Sequence, residues 1–383
     1  MTQWTIHATA AFGLEAVVKR QCEALGLGPC RIEEGHVLFV GGTEEVMRAN
    51  LYLASADRVL VEVGRFSAEC FDALFEGTKA LDWTMYLPRN ARFPVRAKTV
   101  QSKLASPSDV QKIVKKAVVS ALQRRDALEH FPEDGALFPI DVLLRHDECV
   151  ICLDTTGEGL FKRGYRLEKG GAPLKETMAA ALIDLSVWTI DRPFADVFCG
   201  SGTLVIEAAR KARGIAPGLD RTFLFQQWPW MDAKQYTQLR REALAKVKTD
   251  LQAEMLGFDI DPAMVRIARH NAEEAGVSDM VRFVKRDMRE VGLSENFGVM
   301  VTNPPYGKRL SPLEGVDVLM RDFARRFLTL RTWSAYVITA MPEFERMVRE
   351  ETGKEASRRR KLFNGGEEVT YYQFVGPDPK RFR

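Results

Sequence analysis

The sequence lacks any apolar run long enough to cross a membrane, which takes about 20 consecutive apolar residues. Its first residues, Met1-Thr2-Gln3-Trp4, carry neither the basic start nor the apolar core of a secretion signal. The composition is otherwise that of an ordinary globular protein, with 46% hydrophobic and 28% charged residues. These absences predict a cytoplasmic protein with no membrane partner.

Cysteine is also scarce. The six cysteines are scattered, and their only close pair, Cys149-Val-Ile-Cys152, falls inside an apolar run typical of a strand. A structural zinc site usually needs four ligands, and the sequence offers no second pair of this kind. We therefore expect reduced, buried thiols and no metal ion.

A large excess of charge of one sign is missing too, because the net charge of the 383 residues is only +3. The charge is unevenly distributed, however. Residues 1–160 hold 18 Lys and Arg against 22 Asp and Glu, yet the segment 89–116 holds eight basic residues and one acid. Such a cluster is typical either of a surface for nucleic acid or of a solvated face, and both readings stay open. The candidates for RNA contacts in this segment are Arg96, Lys98, Lys112, Lys115 and Lys116.

Short apolar runs alternate with amphipathic segments along the chain, which divides it into α/β units. We predict one small domain at residues 1–65, a second at 66–156, a Gly-rich basic linker at 157–171 and a final domain at 172–383. In the final domain, helices alternate with strands, which predicts a parallel sheet whose ligand lies at the strand C-termini. The linker adds three candidates for RNA contacts: Lys162, Arg163 and Arg166.

The clearest helix start of the second domain lies at Ser106-Pro107-Ser108-Asp109. Serine is a favoured N-cap, proline suits the first helical position, and an acid suits the third. The apolar face of this helix leaves its lysines toward solvent. A strand is predicted before it, at Arg92–Ala97.

A glycine loop between a strand and a helix opens the final domain's ligand site. The buried strand Phe194–Phe198 runs directly into Cys199-Gly200-Ser201-Gly202-Thr203. Gly200 and Gly202 allow a tight turn and the close approach of a ligand, and the helix at Leu204–Ala212 points its N-terminus at that ligand. With the acid Asp196 in the strand before the loop, this pattern predicts a cofactor site.

The next two strands of this domain also end in acids. Strand Met255–Ile260 carries Asp259 near its end, where a carboxylate suits ribose hydroxyls, and Ile260 follows it. Asp261 is instead typical of a helix N-cap. The strand after that leads to Asp287-Met288, where a carboxylate can accept from an adenine amine and the methionine can lie against the ring.

The segment Thr302-Asn303-Pro304-Pro305-Tyr306-Gly307 follows the fourth strand. Two successive prolines remove ladder donors and end the strand, so the polar residues lie at its C-terminal edge. Asn303 Oδ1 and the Pro304 carbonyl can accept both hydrogens of an exocyclic amine, and Tyr306 offers a planar face to a flipped-out base. Taken alone, a diproline loop is more often a simple turn. In this context we predict a catalytic loop made of Asn303, Pro304, Pro305 and Tyr306.

Taken in order, these motifs resemble the class I S-adenosylmethionine-dependent methyltransferases that modify exocyclic amines. The lead-in Ala172-Pro173-Leu174-Lys175-Glu176 is similar to that of one subgroup, the THUMP-containing RNA guanine-N2-methyltransferases. The nearest resemblance is to the bacterial 23S ribosomal RNA enzymes with a single catalytic domain. It covers nearly the whole chain, through the segments Ala10–Glu15, Asn50–Arg58 and Gln111–Lys116.

The resemblance implies a Rossmann-like seven-stranded sheet with one antiparallel strand, preceded by ferredoxin-like and THUMP α+β domains that bind RNA. It also implies S-adenosylmethionine as cofactor, with Asp259 at the ribose and Asp287 with Met288 at the adenine. Asn303, Pro304 and Tyr306 would hold the target base. The candidate residues around the methionine end and its loop are Asp196, Cys199, Gly200, Gly202 and Thr203, with Ile260 beside the ribose. Cys199 is given no nucleophilic role.

Three other functions stay open. The same architecture acts on guanine N2 of transfer RNA in related enzymes. The Asn-Pro-Pro-Tyr tetrad also serves adenine N6 in DNA, although the N-terminal region resembles an RNA-binding module. A ribosome-assembly factor without catalysis is the last alternative, and the intact Asp196, Gly200, Gly202 and Asn303 argue against it.

Two smaller features are also ambiguous in the sequence. The aromatic cluster Phe223, Phe225, Trp228 and Trp230 can flank a base, but such clusters more often pack a core or a lid. The basic tract Arg358–Lys361 can bind phosphates or form a solvated loop.

Overall fold

The computed structural model describes residues 3–126, 133–166, 174–251, 253, 255–294, 297–305 and 313–378. Tyr306 of the predicted catalytic loop and the lead-in residues Ala172 and Pro173 lie outside these ranges. The chain forms two compact units. The first contains residues 1–9, 19–160 and 222–240, and the second contains residues 10–18, 161–221 and 241–383.

A seven-stranded sheet organises the first unit, in the order β2-β3-β1-β4-β7-β6-β5. Its strands are β1 (Trp4–Thr9), β2 (Arg31–Glu33), β3 (His36–Gly41), β4 (Arg58–Ser67), β5 (Val95–Val100), β6 (Ile140–Arg145) and β7 (Glu148–Asp154). Its helices are α1 (Glu15–Ala24), α2 (Thr43–Tyr52), α3 (Phe71–Ala80) and α4 (Pro107–Asp126), of which α1 begins in the second unit.

Strand β4 joins the two predicted N-terminal domains into this one sheet. Its first half pairs antiparallel with β1, which completes the βαββαβ order of a ferredoxin-like domain. The strand continues past an irregularity between Glu62 and Gly64 and pairs with β7 along its length. The ferredoxin-like and THUMP regions therefore share one continuous ladder of backbone hydrogen bonds.

The second unit is built on a seven-stranded sheet in the order β10-β9-β8-β11-β12-β14-β13. Its strands are β8 (Phe194–Asp196), β9 (Met255–Asp259), β10 (Val281–Lys285), β11 (Val299–Thr302), β12 (Ser334–Thr339), β13 (Arg358–Asn364) and β14 (Glu367–Phe374). Its helices are α5 (Glu176–Asp184), α6 (Thr203–Arg213), α8 (Pro262–Glu274), α9 (Leu313–Phe327) and α10 (Phe344–Thr352), and α7 (Ala233–Ala245) begins in the first unit and ends here. Among the described strands of this sheet only β14 runs antiparallel to its neighbours, which confirms the predicted Rossmann-like sheet with one antiparallel strand.

Apolar side chains cover both faces of this second sheet. One buried cluster includes Leu182, Val205 and Phe283, and the other includes Met300, Phe323 and Phe344. The four residues of β11 are all buried, as expected for a central strand of a parallel sheet. The polar residue that follows this strand is therefore carried by a rigid element.

The aromatic cluster at Phe223–Trp230 belongs to the first unit, although it follows the glycine loop in sequence. Trp228 is 2% exposed, stacks on Phe138 with ring centroids 4.8 Å apart, and donates from Nε1 to the Leu137 carbonyl at 2.9 Å. Trp230 packs on Trp4 at 5.1 Å. These rings thus pack a core, in agreement with the commoner of their two sequence-based readings.

Two regions differ from the sequence-based expectations. The basic tract Arg358–Lys361 is part of the edge strand β13, not a loop. Strand β5 begins at Val95 and ends at Val100, three residues later than expected. Pro94 has no N–H for a ladder bond, and Arg92 makes only an isolated bridge to Leu137 before it.

Within the described ranges, no helix is both long and apolar enough to span a membrane. The same residues contain no group of three or more His, Cys, Asp or Glu side chains that could hold a metal ion. All six cysteines are free thiols.

Candidate active site

Three neighbouring parallel strands bring the predicted site residues to one edge of the second sheet. Strand β8 lies between β9 and β11 and is parallel to both. Asp196 ends β8, Asp259 ends β9, and Asn303 follows β11. Because the carboxyl ends of parallel strands meet at one edge, these three side chains share the position where open α/β sheets bind ligands.

The glycine loop has the backbone conformation that its sequence predicts. Gly200 and Gly202 have φ angles of +50° and +85°, in the region that side chains rarely adopt. A Cβ at Gly202 would lie 2.7 Å from Phe283 Cζ, whereas a Cβ at Gly200 would meet nothing within 4 Å. Gly202 therefore allows the helix α6 to pack closely, and Gly200 leaves open space above the loop.

Asp259 holds this loop through the backbone. Its Oδ2 accepts from the Gly200 N–H at 2.9 Å, and its Oδ1 accepts from the Asp261 N–H at the same distance. The Cys199 N–H donates to the Phe258 carbonyl at 2.9 Å, so the loop is tied to β9 twice. Asp261 caps α8 by accepting from the Ala263 N–H, as predicted. The carboxylate of Asp259 keeps further lone pairs for hydroxyl donors.

Asp196 is buried, with 2% exposure, and joins the cofactor loop to the strand before Asn303. Its Oδ1 accepts from the Thr302 hydroxyl at 2.6 Å and from the Phe198 N–H at 3.0 Å. Burial raises the pKa of Asp196 to about 7, and the two donors and the nearby Asp259 modify it less. Thr302 was not among the predicted site residues, although its place immediately before Asn303 is the signal that could have identified it.

The side chain of Asn303 carries a buried polar atom of the kind expected in a ligand-binding site. Its Oδ1 is buried and finds no hydrogen-bond partner among the described residues. A buried amide oxygen without a donor costs about 1–3 kcal/mol, so such atoms are rare unless something else binds them. Pro304 is buried beside it and Pro305 is half-buried. Neither proline offers an N–H that could satisfy the amide oxygen.

The candidates for the adenosine end lie on the next loops. Ile260 is 64% exposed directly after β9, which leaves an apolar surface open beside Asp259. Asp287 caps a short 3₁₀ helix by accepting from the Arg289 N–H at 2.9 Å. Met288 is only 3% exposed and belongs to a core cluster. Of this pair, Asp287 is the more accessible to a ligand.

Of the three basic linker candidates, Arg163 is buried in the second unit and Arg166 is half-buried there, which does not fit the phosphate contacts expected of them. Arg163 is 1% exposed and its Nη2 lies 3.5 Å from Glu207 Oε2. The Tyr165 hydroxyl donates to the other oxygen of Glu207 at 3.0 Å. The sequence contains one signal for the burial of Arg163, which is Glu207. An acid within the apolar helix Leu204–Ala212 is buried with that helix and needs a cation beside it. Lys162 is exposed.

Arg166 contacts both Thr203, at the end of the glycine loop, and Glu176 on α5. Its Nη2 donates to the hydroxyl of Thr203, the first residue of α6, and to the Leu174 carbonyl at 3.1 Å. Its Nε lies 3.4 Å from Glu176 Oε1. Glu176 is 3% exposed, and this burial raises its pKa to about 7. Arg166 therefore links α5 to the start of α6.

The basic candidates of the first unit form two groups: lysines that are exposed at the surface, and side chains that pair with other residues of the fold. Lys98, Lys112 and Lys116 are exposed, and the ion pair of Lys112 with Asp109 spans 3.4 Å at the surface. Lys115 is instead used within the fold, because its Nζ lies 2.5 Å from Glu133 and 3.7 Å from the centroid of the Phe93 ring. Arg96 is exposed but pairs with the buried Asp154 at 2.6 Å.

Three family models match consecutive parts of the chain. The ferredoxin-like domain of RlmL matches residues 5–60, the THUMP domain matches 68–154, and the RMKL-like methyltransferase domain matches 163–373. Together they confirm the predicted order of folds.

The chain is also similar to known proteins over its full length. It is 44% identical to “Putative RNA methyltransferase YpsC” of Bacillus subtilis (strain 168), over 100% of this chain and 99% of that protein. The solved structure of “SMU.472, a putative methyltransferase complexed with SAH” is 44% identical, covers 99% of both chains and superposes with a TM-score of 0.92. A “predicted N6-adenine-specific DNA methylase” from Listeria monocytogenes str. 4b F2365 is 43% identical, covers 98% of this chain and 97% of that one, with a TM-score of 0.91.

The residues of this edge fit S-adenosylmethionine, the cofactor of this fold. Open space lies over Gly200, the carboxylate of Asp259 can accept from ribose hydroxyls, and Ile260 is exposed beside it. The buried carboxyl of Asp196 and the N-terminus of α6 border the same loop. These groups can contact the two ends of the cofactor.

Proposed function

The chain belongs to the RMKL-like methyltransferase family, and from this membership we propose that it methylates the exocyclic N2 amine of a guanine in 23S ribosomal RNA. S-adenosylmethionine is its methyl donor. The family and the THUMP domain together make it an RNA methyltransferase. The choice of base and of RNA is the proposed part.

The observation that carries the proposal is the buried, unpartnered Oδ1 of Asn303 within the described part of the site. With the Pro304 carbonyl it gives two acceptors at the C-terminal edge of β11, next to the strand that leads into the glycine loop. A primary amine conjugated to a purine ring has two hydrogens to donate. Both can be accepted here, whereas a ring nitrogen without hydrogen or a ring carbon would leave these oxygens unpaired.

When bound, S-adenosylmethionine supplies an electrophilic methyl group on its sulfonium. The chain's own residues then have two tasks. Asn303 Oδ1 and the Pro304 carbonyl hold the amine so that its lone pair turns out of the ring plane and toward the methyl group. The same two oxygens stabilise the positive charge that develops on the nitrogen as the N–C bond forms and the S–C bond breaks.

No strong general base is required of the protein. Once the methyl group is transferred and the nitrogen carries four bonds, its proton is strongly acidic and is lost to water. This agrees with the described part of the site, where Asp196 is occupied by Thr302 and the Phe198 N–H.

Guanine N2 of 23S ribosomal RNA is preferred because the N-terminal and catalytic motifs resemble the bacterial enzymes with that target. The match of residues 5–60 to the ferredoxin-like domain of RlmL agrees with the N-terminal part of that resemblance. The THUMP match at residues 68–154 favours RNA over DNA, although one relative is named as an adenine-specific DNA methylase.

Nucleoside mass spectrometry tests the proposal most directly. Ribosomal and transfer RNA are separated from cells that lack the protein and from cells complemented with wild type or Asn303→Ala. We expect N2-methylguanosine to be lost from 23S ribosomal RNA and to return only with wild type. Loss from transfer RNA instead would refute the ribosomal target and keep the mechanism. An unchanged nucleoside content of both RNAs would refute the proposed function.

A further inference from the structure

The second unit exposes two phenylalanine rings that pack on each other. Phe12 is 53% exposed and Phe363 is 38% exposed, with ring centroids 5.6 Å apart and planes at 79°. A pair this open to water removes little apolar surface from solvent and so contributes little to stability. Two adjacent exposed rings form an apolar patch, and apolar patches are one kind of surface that ligands use.

Phe12 is held firmly in this exposed position. A Cβ at Gly13, whose φ is +86°, would lie 2.8 Å from the Lys361 carbonyl, so the loop backbone is pressed against β13. Arg360 Nη1 donates to the Gly13 carbonyl at 3.0 Å. Leu14 is 1% exposed in the core of the same unit. The backbone that carries the ring is therefore ordered in advance, which lowers the entropy cost of binding.

The pair lies at the same edge of the sheet as Asn303. Strand β13 is antiparallel to β14, which is antiparallel to β12, so β13 runs in the direction of β11 and β12. Phe363 is the last but one residue of β13, and Asn303 follows the end of β11. Three strand spacings of about 4.8 Å separate the two strands, roughly 14 Å in all. The pairing through Val337 and Tyr372 places Arg359 level with Thr302, so Phe363, four residues later, lies about 13 Å further along the strand direction.

Basic side chains accompany the rings. Strand β13 begins with Arg358, Arg359, Arg360 and Lys361, three of which are exposed. Acids neutralise part of this charge: Glu345 pairs with Arg359, and Glu368 lies 3.1 Å from Lys361. Glu367 is exposed at the hairpin end. Glu15, whose Oε2 accepts from the Gly13 N–H at 2.9 Å, is a further acid, so acids balance the bases of β13 and stacking on the rings is the main contact that this surface offers to RNA.

We propose that Phe12 and Phe363 form a stacking platform for an unpaired base of the RNA substrate, roughly 20 Å from the target nucleotide. The inference rests on the proposed function, because it presupposes RNA at this edge. Stacking on an aromatic ring accepts any base, so the platform would hold the strand near the target without selecting its sequence. Arg358, which is exposed at the start of β13, would contact a phosphate of the same segment.

The test uses the full-length protein with Phe12→Ala and Phe363→Ala combined. Its probes are a short fluorescein-labelled oligouridylate and an abasic oligonucleotide of equal length, both followed by fluorescence anisotropy. We expect the double variant to bind oligouridylate about tenfold more weakly, since stacking on one aromatic ring is worth that much or more. Binding of the abasic strand should change little, because it has phosphates but no bases.

Three controls make the result specific. Titration with S-adenosylhomocysteine should match wild type and so show that the second unit is folded. Leu244→Ala removes a side chain that is 51% exposed in the same unit, and it should bind both probes as wild type does. Phe12→Trp with Phe363→Trp should restore binding of oligouridylate.

Equal binding of oligouridylate by wild type and the double variant would overturn the platform. So would a wild-type dimer in size-exclusion chromatography that the double variant no longer forms, because the rings would then contact a second copy of the chain. Either result leaves the mass-spectrometric test of methyl transfer untouched. Conversely, unchanged nucleosides in that test would refute the proposed function whatever the binding results.

Discussion

Thr302 Oγ1 lies 2.6 Å from Asp196 Oδ1, and both side chains are buried. The bond joins the strand that leads into the glycine loop to the strand that ends at Asn303. Asp196 also accepts from the Phe198 N–H. Its carboxyl therefore fixes both the backbone that leads into the glycine loop and the side chain of Thr302, which precedes Asn303. The cofactor loop and the base-holding loop are thus positioned relative to each other by one pair of side chains.

We predict that Thr302→Val lowers the turnover number for RNA methylation by about ten- to a hundredfold, the equivalent of one hydrogen bond to a charged group. Thr302→Ser keeps the hydroxyl and should retain most of the activity. Titration with S-adenosylhomocysteine should show that Thr302→Val weakens ligand binding by a smaller factor than it lowers turnover. Equal activity of the Val and Ser variants would show that the hydroxyl does not position the loop.

Replacing the two glycines of the loop by alanine should affect different properties, stability at Gly202 and ligand binding at Gly200. At Gly202 the new Cβ would lie 2.7 Å from Phe283 and 3.0 Å from Ala268, so Gly202→Ala should lower the unfolding temperature by several degrees. At Gly200 the Cβ would enter open space, and only the positive φ costs about 1–2 kcal/mol. Gly200→Ala should therefore weaken binding of S-adenosylhomocysteine more than it destabilises the fold.

Differential scanning fluorimetry without ligand and calorimetric titration with S-adenosylhomocysteine separate the two effects. Gly276→Ala is a suitable control, since its φ is also positive at +67° and its Cβ would meet nothing within 4 Å, but it follows α8 outside the loop. If Gly200→Ala and Gly276→Ala bound the ligand equally well, the open space over Gly200 would not be the cofactor site.

The positions of Asn303 and the glycine loop could be predicted because local chemistry dictates them. Two prolines end a strand whatever the surrounding fold, and glycines between a strand and a helix allow few conformations. Strand β13 could not be predicted in this way. Its only buried side chain is Leu362, and its charges point to both faces, so no alternating pattern marks it. This segment is a strand because it pairs with β14, and that contact is not visible in the local sequence pattern.

The same limit applies to the linker arginines. In sequence, Arg163 and Arg166 look like neighbours of the exposed Lys162, and nothing local separates them. Their burial depends on Glu207 and Glu176, which lie on two helices further along the chain. Glu207 in its apolar helix signals that a cation is buried beside it, but which arginine the fold brings there is not visible in composition or spacing.

The buried carboxyl of Asp196 should make stability depend on pH. Its pKa of about 7 lies above that of an unfolded aspartate, about 4, so the folded protein keeps a proton that the unfolded chain releases. This contribution is fully present below about pH 4 and disappears as the pH rises to about 7. We expect Asp196→Asn, which cannot ionise, to gain unfolding temperature relative to wild type between about pH 5 and pH 8.

Thermal unfolding of both proteins across that range checks the prediction. Glu176, whose pKa is also raised to about 7, titrates in both proteins and so largely cancels in their difference. A difference in unfolding temperature that stays constant with pH would contradict the assignment of a proton to Asp196.

Removing the acid that pairs with Arg163 should damage the fold and not the RNA surface. Glu207→Ala removes one partner of a buried ion pair whose guanidinium is 1% exposed, and such a loss typically costs about 3–5 kcal/mol. It also removes the acceptor of the Tyr165 hydroxyl. We expect the midpoint of urea denaturation to fall sharply, and a double change to Glu207→Leu with Arg163→Met to recover part of the stability. No recovery would mean that the ion pair itself, and not its imbalance, stabilises this core.

The exposed lysines of α4 should behave in the opposite way. Lys112 and Lys116 are exposed, so replacing both by glutamine should leave the unfolding temperature within about a degree of wild type. If they bind phosphates, RNA affinity falls, and the slope of log affinity against log salt becomes shallower by about 0.7–0.9 for each lysine–phosphate pair that is removed. Lys211→Gln serves as the control, because this partly exposed lysine pairs with Asp184 at the far end of α6 from the glycine loop. An unchanged salt slope in the double variant would assign Lys112 and Lys116 to a solvated face, the alternative that the sequence left open.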